Sequence, residues 1–357
     1  MPGKFQWCKF SNCDLNDPFF DSLKADYQEF PKWFFEKGKE GREALVFEDE
    51  YGIGAFVYLK LENEAIESTS VILPAVRRMK IGTLRLAERF RGQRLGEGAL
   101  GVALWRWQEE RCDEIYVTVF EKHDVIIGLF ERFGFNCVGM NRRGERIYLK
   151  SRKSIDYSDP YRAFPFINPR FEKAGIIPVE DRFHDTLFPY SELYRGICEI
   201  EEVSAANGIT KVFIGAPTST LHHKVGEPVI IYRKYTGNER PVGFRSVATS
   251  FCTIASMTTV KSFNQPHISL KDFIKIAGNK TIFSNEELTS IYNRKSNVVL
   301  MELLYNGFFG KGHNITYNEL KNAGLFESYP YEIRYTPQQF ITIIEMGDKD
   351  AQNVIIN

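Results

Sequence analysis

The stretch Arg89-Phe90-Arg91-Gly92-Gln93-Arg94-Leu95-Gly96-Glu97-Gly98-Ala99-Leu100 constrains this chain more than any other. It follows Lys80 to Ala87, where apolar Ile81, Leu84 and Leu86 predict a strand. It leads into a helix predicted from Gly96 to about Arg111, with Leu100, Val102, Ala103, Leu104 and Trp107 at helical spacing. A glycine-rich turn in that position presents successive backbone N–H groups, and the helix adds the positive end of its dipole. Together they suit a pyrophosphate. Arginines on the approach add charge-assisted bonds to phosphate oxygens. Many strand–turn–helix connections carry glycines and bind nothing, so the surrounding elements decide between the two readings.

Those elements run in a definite order. Pro18 to Gly38 reads as helical, Ala44–Phe47 and Ile53–Leu61 as strands, then the Lys80 strand, the turn and its helix. A strand at Glu114–Phe120, a helix at His123–Phe133 and a strand pair over Asn136–Leu149 follow, with Asn141-Arg142-Arg143-Gly144 as the hairpin turn. From Ser151 to about Pro189 frequent prolines and scarce Gly and Ser predict an ordered connector. Beyond it, Gly196–Val203, Pro228–Tyr235, Pro241–Cys252 and Val298–Leu304 read as strands. Ser284, Thr316 and Thr336 read as helix caps. The expected organisation is therefore 1–150, a connector at 151–190, and a second domain at 191–357.

The first 150 residues resemble the GNAT acetyltransferase family. Its Arg/Gln-x-x-Gly-x-Gly/Ala pattern is covered by Arg91 through Gly96, with Arg94 in place of the first glycine. Ile126 through Phe135 resembles the family's A-x-x-L-Y-x-x-x-G-F helix, with Phe130 in place of the tyrosine. The resemblance implies acetyl-CoA as cofactor, held by Arg91, Gly92, Gln93, Arg94, Leu95, Gly96, Glu97 and Gly98 at the pyrophosphate. It implies further that the main chain of Leu84, Arg85 and Leu86 pairs with the pantetheine arm, with Phe130 beside the cofactor.

Acetyl transfer to an amine needs a neutral nucleophile, a polarised carbonyl and a proton for the leaving thiolate. The family's usual proton donor is a tyrosine, and Phe130 cannot donate. His123, at a helix start, is a candidate acid or base near neutral pH. Glu121 and Glu88 are candidates by position, against the plain reading of solvated charges. Proton transfer through another residue, or acetyl-CoA binding without turnover, both remain open.

Residues from about Glu192 to Gly347 resemble, through Gly226-Glu227-Pro228, Val229 to Tyr235 and Pro241 to Ala248, a PUA-like β-barrel of the ASCH kind. The fold class expected is thus α+β: a mixed-sheet acyltransferase domain, then a small barrel with added helices. Such barrels commonly bind RNA, which implies an RNA-borne acceptor amine. Lys224, Tyr232, Arg233, Lys234, Tyr235 and Arg240 interleave aromatic and basic groups suited to unpaired bases and phosphates. Alternation along a strand divides them between two faces. An ordinary solvated strand has the same composition, and a protein or small amine is the alternative acceptor.

Composition excludes some classes. Lysine plus arginine equals aspartate plus glutamate, 46 against 46, so any nucleic-acid contact must be a local patch. The 6 cysteines form no Cys-x-x-Cys pair, which argues against structural zinc and a disulfide framework. No metal is expected at His222-His223 either: neighbouring side chains diverge on a strand, and no acidic cluster adjoins them. No apolar run is long enough to span a bilayer and no secretory h-region is present, so a cytoplasmic location is expected. Oligomeric state is not legible.

Overall fold

The computed structural model describes residues 5–69, 72–191, 204–218, 221–238 and 242–356. The chain divides into two compact units, Met1–Ile155 and Asp156–Asn357. Both mix strands and helices, giving an α+β protein.

The first unit is built on one sheet. Its strands are β1 (Gln6–Lys9), β2 (Glu43–Asp49), β3 (Gly52–Glu62), β4 (Arg78–Leu86), β5 (Glu114–Val119), β6 (Asn136–Met140) and β7 (Arg146–Ser151). They lie in the order β1-β2-β3-β4-β5-β7-β6. Only β4 and β5 run parallel among these pairs. The predicted single helix over 18–38 is two, α1 (Asp21–Asp26) and α2 (Phe30–Lys39). Pro31 explains the break: it opens α2 near its first position and cannot continue a helix already formed. Phe10, Phe20, Phe30 and Phe34 bury an aromatic cluster on Phe56 and Tyr58 of β3.

Helix α3 (Leu95–Glu109) is buried on most of its circumference, including Ala99, Leu100, Ala103, Leu104 and Trp107, as befits an apolar helix packed on a sheet. α4 (Asp124–Arg132) buries Ile127 and Phe130. All 4 tryptophans of the chain (Trp7, Trp33, Trp105 and Trp107) belong to this unit.

The second unit has its own sheet. Its longer strands are β8 (Gly175–Glu180), β9 (Thr210–Gly215), β10 (Pro228–Lys234), β11 (Val247–Ser262) and β12 (Val298–Phe308), in the order β8-β10-β11-β12-β9. β8 pairs in parallel with β10, and the remaining neighbours are antiparallel. The segment 151–190, read above as a connector, thus supplies an edge strand. Pro178 hid it, because proline lacks an N–H, yet at an edge the ladder loses nothing. The expected strand from Pro241 begins only at Val247, after a short 3-10 turn at Val242–Phe244. The strand expected at 196–203 lies outside the described residues.

The helices of six or more residues here are α5 (Asp181–Leu187), α6 (Leu270–Ala277), α7 (Asn285–Arg294), α8 (Tyr317–Asn322) and α9 (Pro337–Met346). Ser284, Thr316 and Thr336 cap the last three, each with a reciprocal capping box.

Candidate active site

Parallel pairing of β4 with β5 covers only Arg78–Ile81 against Glu114–Val117. At its start, Arg78 is buried and its Nε donates to Glu114 at 2.6 Å, while its other nitrogens donate to the carbonyls of Glu64 and Pro74 at 2.9 and 2.7 Å. A fully satisfied guanidinium therefore clamps that end. At the other end Gly82 is the extra residue of a bulge: Tyr58 pairs with Thr83 and Leu59 with Ile81. Beyond it β4 stays on β3 through Leu86, and β5 stays on β7 through Val119. The two strands part, and among the described residues the edge of β4 over Thr83–Leu86 that faces β5 has no ladder partner. Unpaired strand edge of this kind is a template for an extended ligand.

The glycine turn lies at the mouth of that opening. Gly92 has φ +80°, and a Cβ there would meet nothing within 4 Å. A Cβ on Gly96 would come within 2.9 Å of Leu86 Cδ1 and 3.7 Å of Leu129 Cδ2, so the start of α3 meets both the end of β4 and α4. The N–H groups of Leu95 and Gly96, in the first turn of α3, lack intrahelical acceptors. The Gly98 N–H is used inside the helix, on the Arg94 carbonyl at 3.1 Å.

The Arg94 side chain folds back on its own helix. The residue takes the left-handed conformation at φ 61°, and its Nη2 pairs with Glu97 at 2.7 Å, both side chains nearly buried. The ion pair neutralises a carboxylate that would otherwise repel phosphate at the helix start. Glu97, three residues on, was the signal for this in the sequence. Gln93 donates to the Arg89 carbonyl at 3.1 Å, and Arg91 is exposed. Leu84, Arg85 and Leu86 are half-buried; the Arg85 side chain donates to the Phe19 carbonyl at 2.6 Å and lies over the Phe19 ring.

The catalytic candidates differ in their surroundings. His123 is exposed at the N-cap of α4, just past the end of β5. Its imidazole has no hydrogen-bond partner among the described residues. Glu121 is exposed and paired with Arg146 at 2.5 Å. Glu88 is exposed at the start of the 3-10 turn that precedes Arg91. Phe130 is buried against Phe135, with ring centroids 5.4 Å apart, so it packs in the core. Tyr116 donates to Glu62, and burial together with that bond pushes its pKa up.

In the second unit the aromatic-basic hairpin does not act as one surface. Tyr232 is buried against Phe326 at 4.9 Å, and burial raises its pKa to about 12. Arg233 forks onto Asp185, Nε to Oδ1 at 2.8 Å and Nη2 to Oδ2 at 3.0 Å. Lys224 and Lys234 are exposed, and Tyr235 stacks under Arg245 at 5.3 Å. Arg240 lies outside the described residues.

Sequence reading missed a polar network beside this hairpin. His184 is fully buried, with Nδ1 2.8 Å from Asp185 and Nε2 2.7 Å from the Thr249 hydroxyl. Burial drives the His184 pKa down. Burial opposes ionisation of Asp185, but bonds from His184 and Arg233 outweigh it and hold that carboxyl at about 2. Thr249 is as buried as His184, so the network fixes α5 on β11 and offers no nucleophile to a substrate.

Residues 10–135 match the model of the acetyltransferase (GNAT) family. That stretch lies within the first unit and takes in both the glycine turn and the opening between β4 and β5. Solved structures resemble parts of the chain. One is a GNAT acetyltransferase from Streptococcus agalactiae, with 14% identity and a TM-score of 0.30, covering 37% of this chain and 79% of that one. Ard1 from Thermoplasma volcanium has 14% identity and a TM-score of 0.31, covering 42% and 95%. A point mutant of the ZmASCH protein from Zymomonas mobilis has 11% identity and a TM-score of 0.31, covering 48% and 95%. No curated protein matches the sequence. At these identities and scores the structural likenesses carry no weight for chemistry, which rests on the family match. Among the described residues no helix is long and apolar enough to cross a membrane.

Proposed function

We propose that this chain transfers the acetyl group of acetyl-CoA to an amine. The observation that supports the cofactor is the joining of two features: a left-handed glycine turn at a helix start, and a strand edge left without a partner beyond the Gly82 bulge. The residues fit the group. Gly92 opens the turn, Leu95 and Gly96 present N–H groups to an anion, and Arg91 supplies exposed positive charge. The edge over Thr83–Leu86 is suited to main-chain bonds along an extended arm. Acetyl-CoA supplies an activated thioester there; this chain's residues orient it, exclude competing geometry and move a proton.

His123 is the group we assign to that proton. It stands at the divergent end of β5, its imidazole engages no other described side chain, and Glu121 is already committed to Arg146. Holding amine and thioester at attack distance supplies much of the remaining acceleration.

A second element of the proposal concerns the acceptor. Phe244 is 62% exposed beside Arg245, which stacks on Tyr235, and Lys234 is exposed at the end of β10. This smaller cluster supports an RNA-borne amine as acceptor, in place of the wider patch expected from sequence. The test is to incubate the full chain with labelled acetyl-CoA and separate pools of RNA, protein and small amines. Label in RNA, lost in His123→Ala, is the expected result. Label confined to protein or small amines overturns the RNA acceptor. No label in any pool overturns the enzymatic reading.

A further inference from the structure

Two adjacent histidines and a glutamate come together at the start of β10. Residues 221–224 form no strand, so His222 and His223 are not forced to opposite faces as alternation would require. Their ring centroids lie 4.3 Å apart. Glu227 joins them after the Gly226 turn, and one ligand atom from each of the three lies within 4.8 Å of the others.

The hydrogen bonds around the cluster select its state. His222 Nε2 lies 2.9 Å from the Ile333 carbonyl oxygen. A carbonyl only accepts, so Nε2 carries the proton and Nδ1 keeps its lone pair. That Nδ1 is buried and has no hydrogen-bond partner among the described residues. A backbone carbonyl that fixes the far nitrogen of an imidazole is the usual support behind a metal-bound histidine. His223 is only 2% exposed, and among the described residues neither of its ring nitrogens has a hydrogen-bond partner. Its ring lies against Gly175 of β8, where a Cβ would stand 2.1 Å from Cε1, so the strand backbone leaves room for this ring and for no side chain.

A buried polar atom left unmatched is destabilising, and this one residue carries two. A neutral imidazole is the form that ligates metals. Glu227 Oε2 accepts from the Lys224 N–H at 2.9 Å, and its Oε1 faces Lys173 Nζ at 3.8 Å.

We propose that His222 Nδ1, one ring nitrogen of His223 and a carboxylate oxygen of Glu227 bind a divalent transition metal of the zinc class. Two imidazoles and one carboxylate suit Zn²⁺ rather than the oxygen-seeking Mg²⁺ or Ca²⁺. Three protein ligands leave a fourth position for water. Tetrahedral Zn–N and Zn–O bonds place ligand atoms about 3.4 Å apart, so binding contracts the cluster, and the irregular segment 221–224 supplies the freedom for it. Lys173 provides the counter-charge to Glu227 here; its flexible stem lets it withdraw when the ion takes over that role. The metal would tie residues 222–227 to the Ile333 loop, which the His222 hydrogen bond already joins.

The test uses the full chain, stripped with a chelator, and Zn²⁺ alone, titrated in competition with a chromophoric chelator. Co²⁺ in its place reports the ligand field by its visible absorption. The expected result is one Zn²⁺ per chain and the intense absorption of a low-coordinate Co²⁺ site. Changing a supporting residue commonly costs 10–100-fold in affinity, so His222→Ala and Glu227→Gln should each weaken binding about 100-fold or more. His267→Ala, at an exposed histidine, should leave it unchanged. Glu227→Gln keeps the acceptor for the Lys224 N–H, so its loss of binding is separable from misfolding, which circular dichroism checks. Failure to bind stoichiometrically, or binding that survives both substitutions, overturns the site.

Discussion

Arg94 shows how one residue answers two demands. A side chain in the left-handed region costs roughly 1–2 kcal/mol, and glycine would avoid that cost. The compensation is Glu97, whose nearly buried carboxylate Arg94 neutralises. Arg94→Ala should therefore lose about 3 kcal/mol by removing this nearly buried ion pair. Arg94→Gly should be about 1 kcal/mol less damaging than alanine, since glycine also suits the N-cap. Urea melts of the two variants check the order. A second residue carries a pH signature. Lys150 is buried and donates to the Phe133 carbonyl at 2.7 Å, and burial lowers its pKa from 10.5 to about 7. Between those values the unfolded chain binds the proton that the folded chain releases, so stability rises with pH across that window. Lys150→Met should flatten the rise in melts taken from about pH 7 to pH 10. The Arg94 substitution was visible in the sequence as a departure. Its φ and partner were not, because both depend on where the turn is held.

At the scale of elements, the clamp and the bulge at opposite ends of the β4–β5 pair produce the opening between them. Glu114→Gln should leave the buried Arg78 charge uncompensated and cost about 3 kcal/mol, with amide exchange quickening first along Arg78–Ile81. A fall in stability with no local change in exchange would show that the pair does not hold these strands together. The sequence was informative where structure is local. Ser284, Thr316 and Thr336 mark helix starts through bonds spanning three residues, and all three caps form. It was less informative where the partner decides. Pro178 looks like a breaker until β8 is known to be an edge, and Gly82 is a bulge only relative to Tyr58 and Leu59 on the next strand. The same reason hid the Glu227 carboxylate from the His222-His223 reading, which assumed a strand where the chain is irregular.

At the scale of the whole molecule, each unit has its own sheet and buried core. Because every tryptophan sits in the first unit, intrinsic tryptophan fluorescence reports that unit's unfolding alone. A ligand at 100 times its Kd stabilises by about 2.7 kcal/mol. Acetyl-CoA at that excess should shift the tryptophan-detected midpoint by a corresponding amount, and an unmoved midpoint would count against cofactor binding in this unit. The class of the first unit was legible because its two blocks, Arg91–Gly96 and Ile126–Phe135, are short and contiguous. The second unit's polar network was not, since His184, Arg233 and Thr249 meet only after α5, β10 and β11 assemble.

The Gly82 bulge has a further meaning as a phase slip. In a ladder with a two-residue period, one additional residue is a half-period shift, so inside and outside exchange roles downstream of it. Deleting Gly82 would do more than zip the strands together. It would turn Leu84 and Arg85 to each other's faces, withdrawing Arg85 from Phe19 and sealing the groove with the wrong side chains. A single inserted residue thus acts as a crystallographer's dislocation, and the cleft is the gap that such a defect leaves.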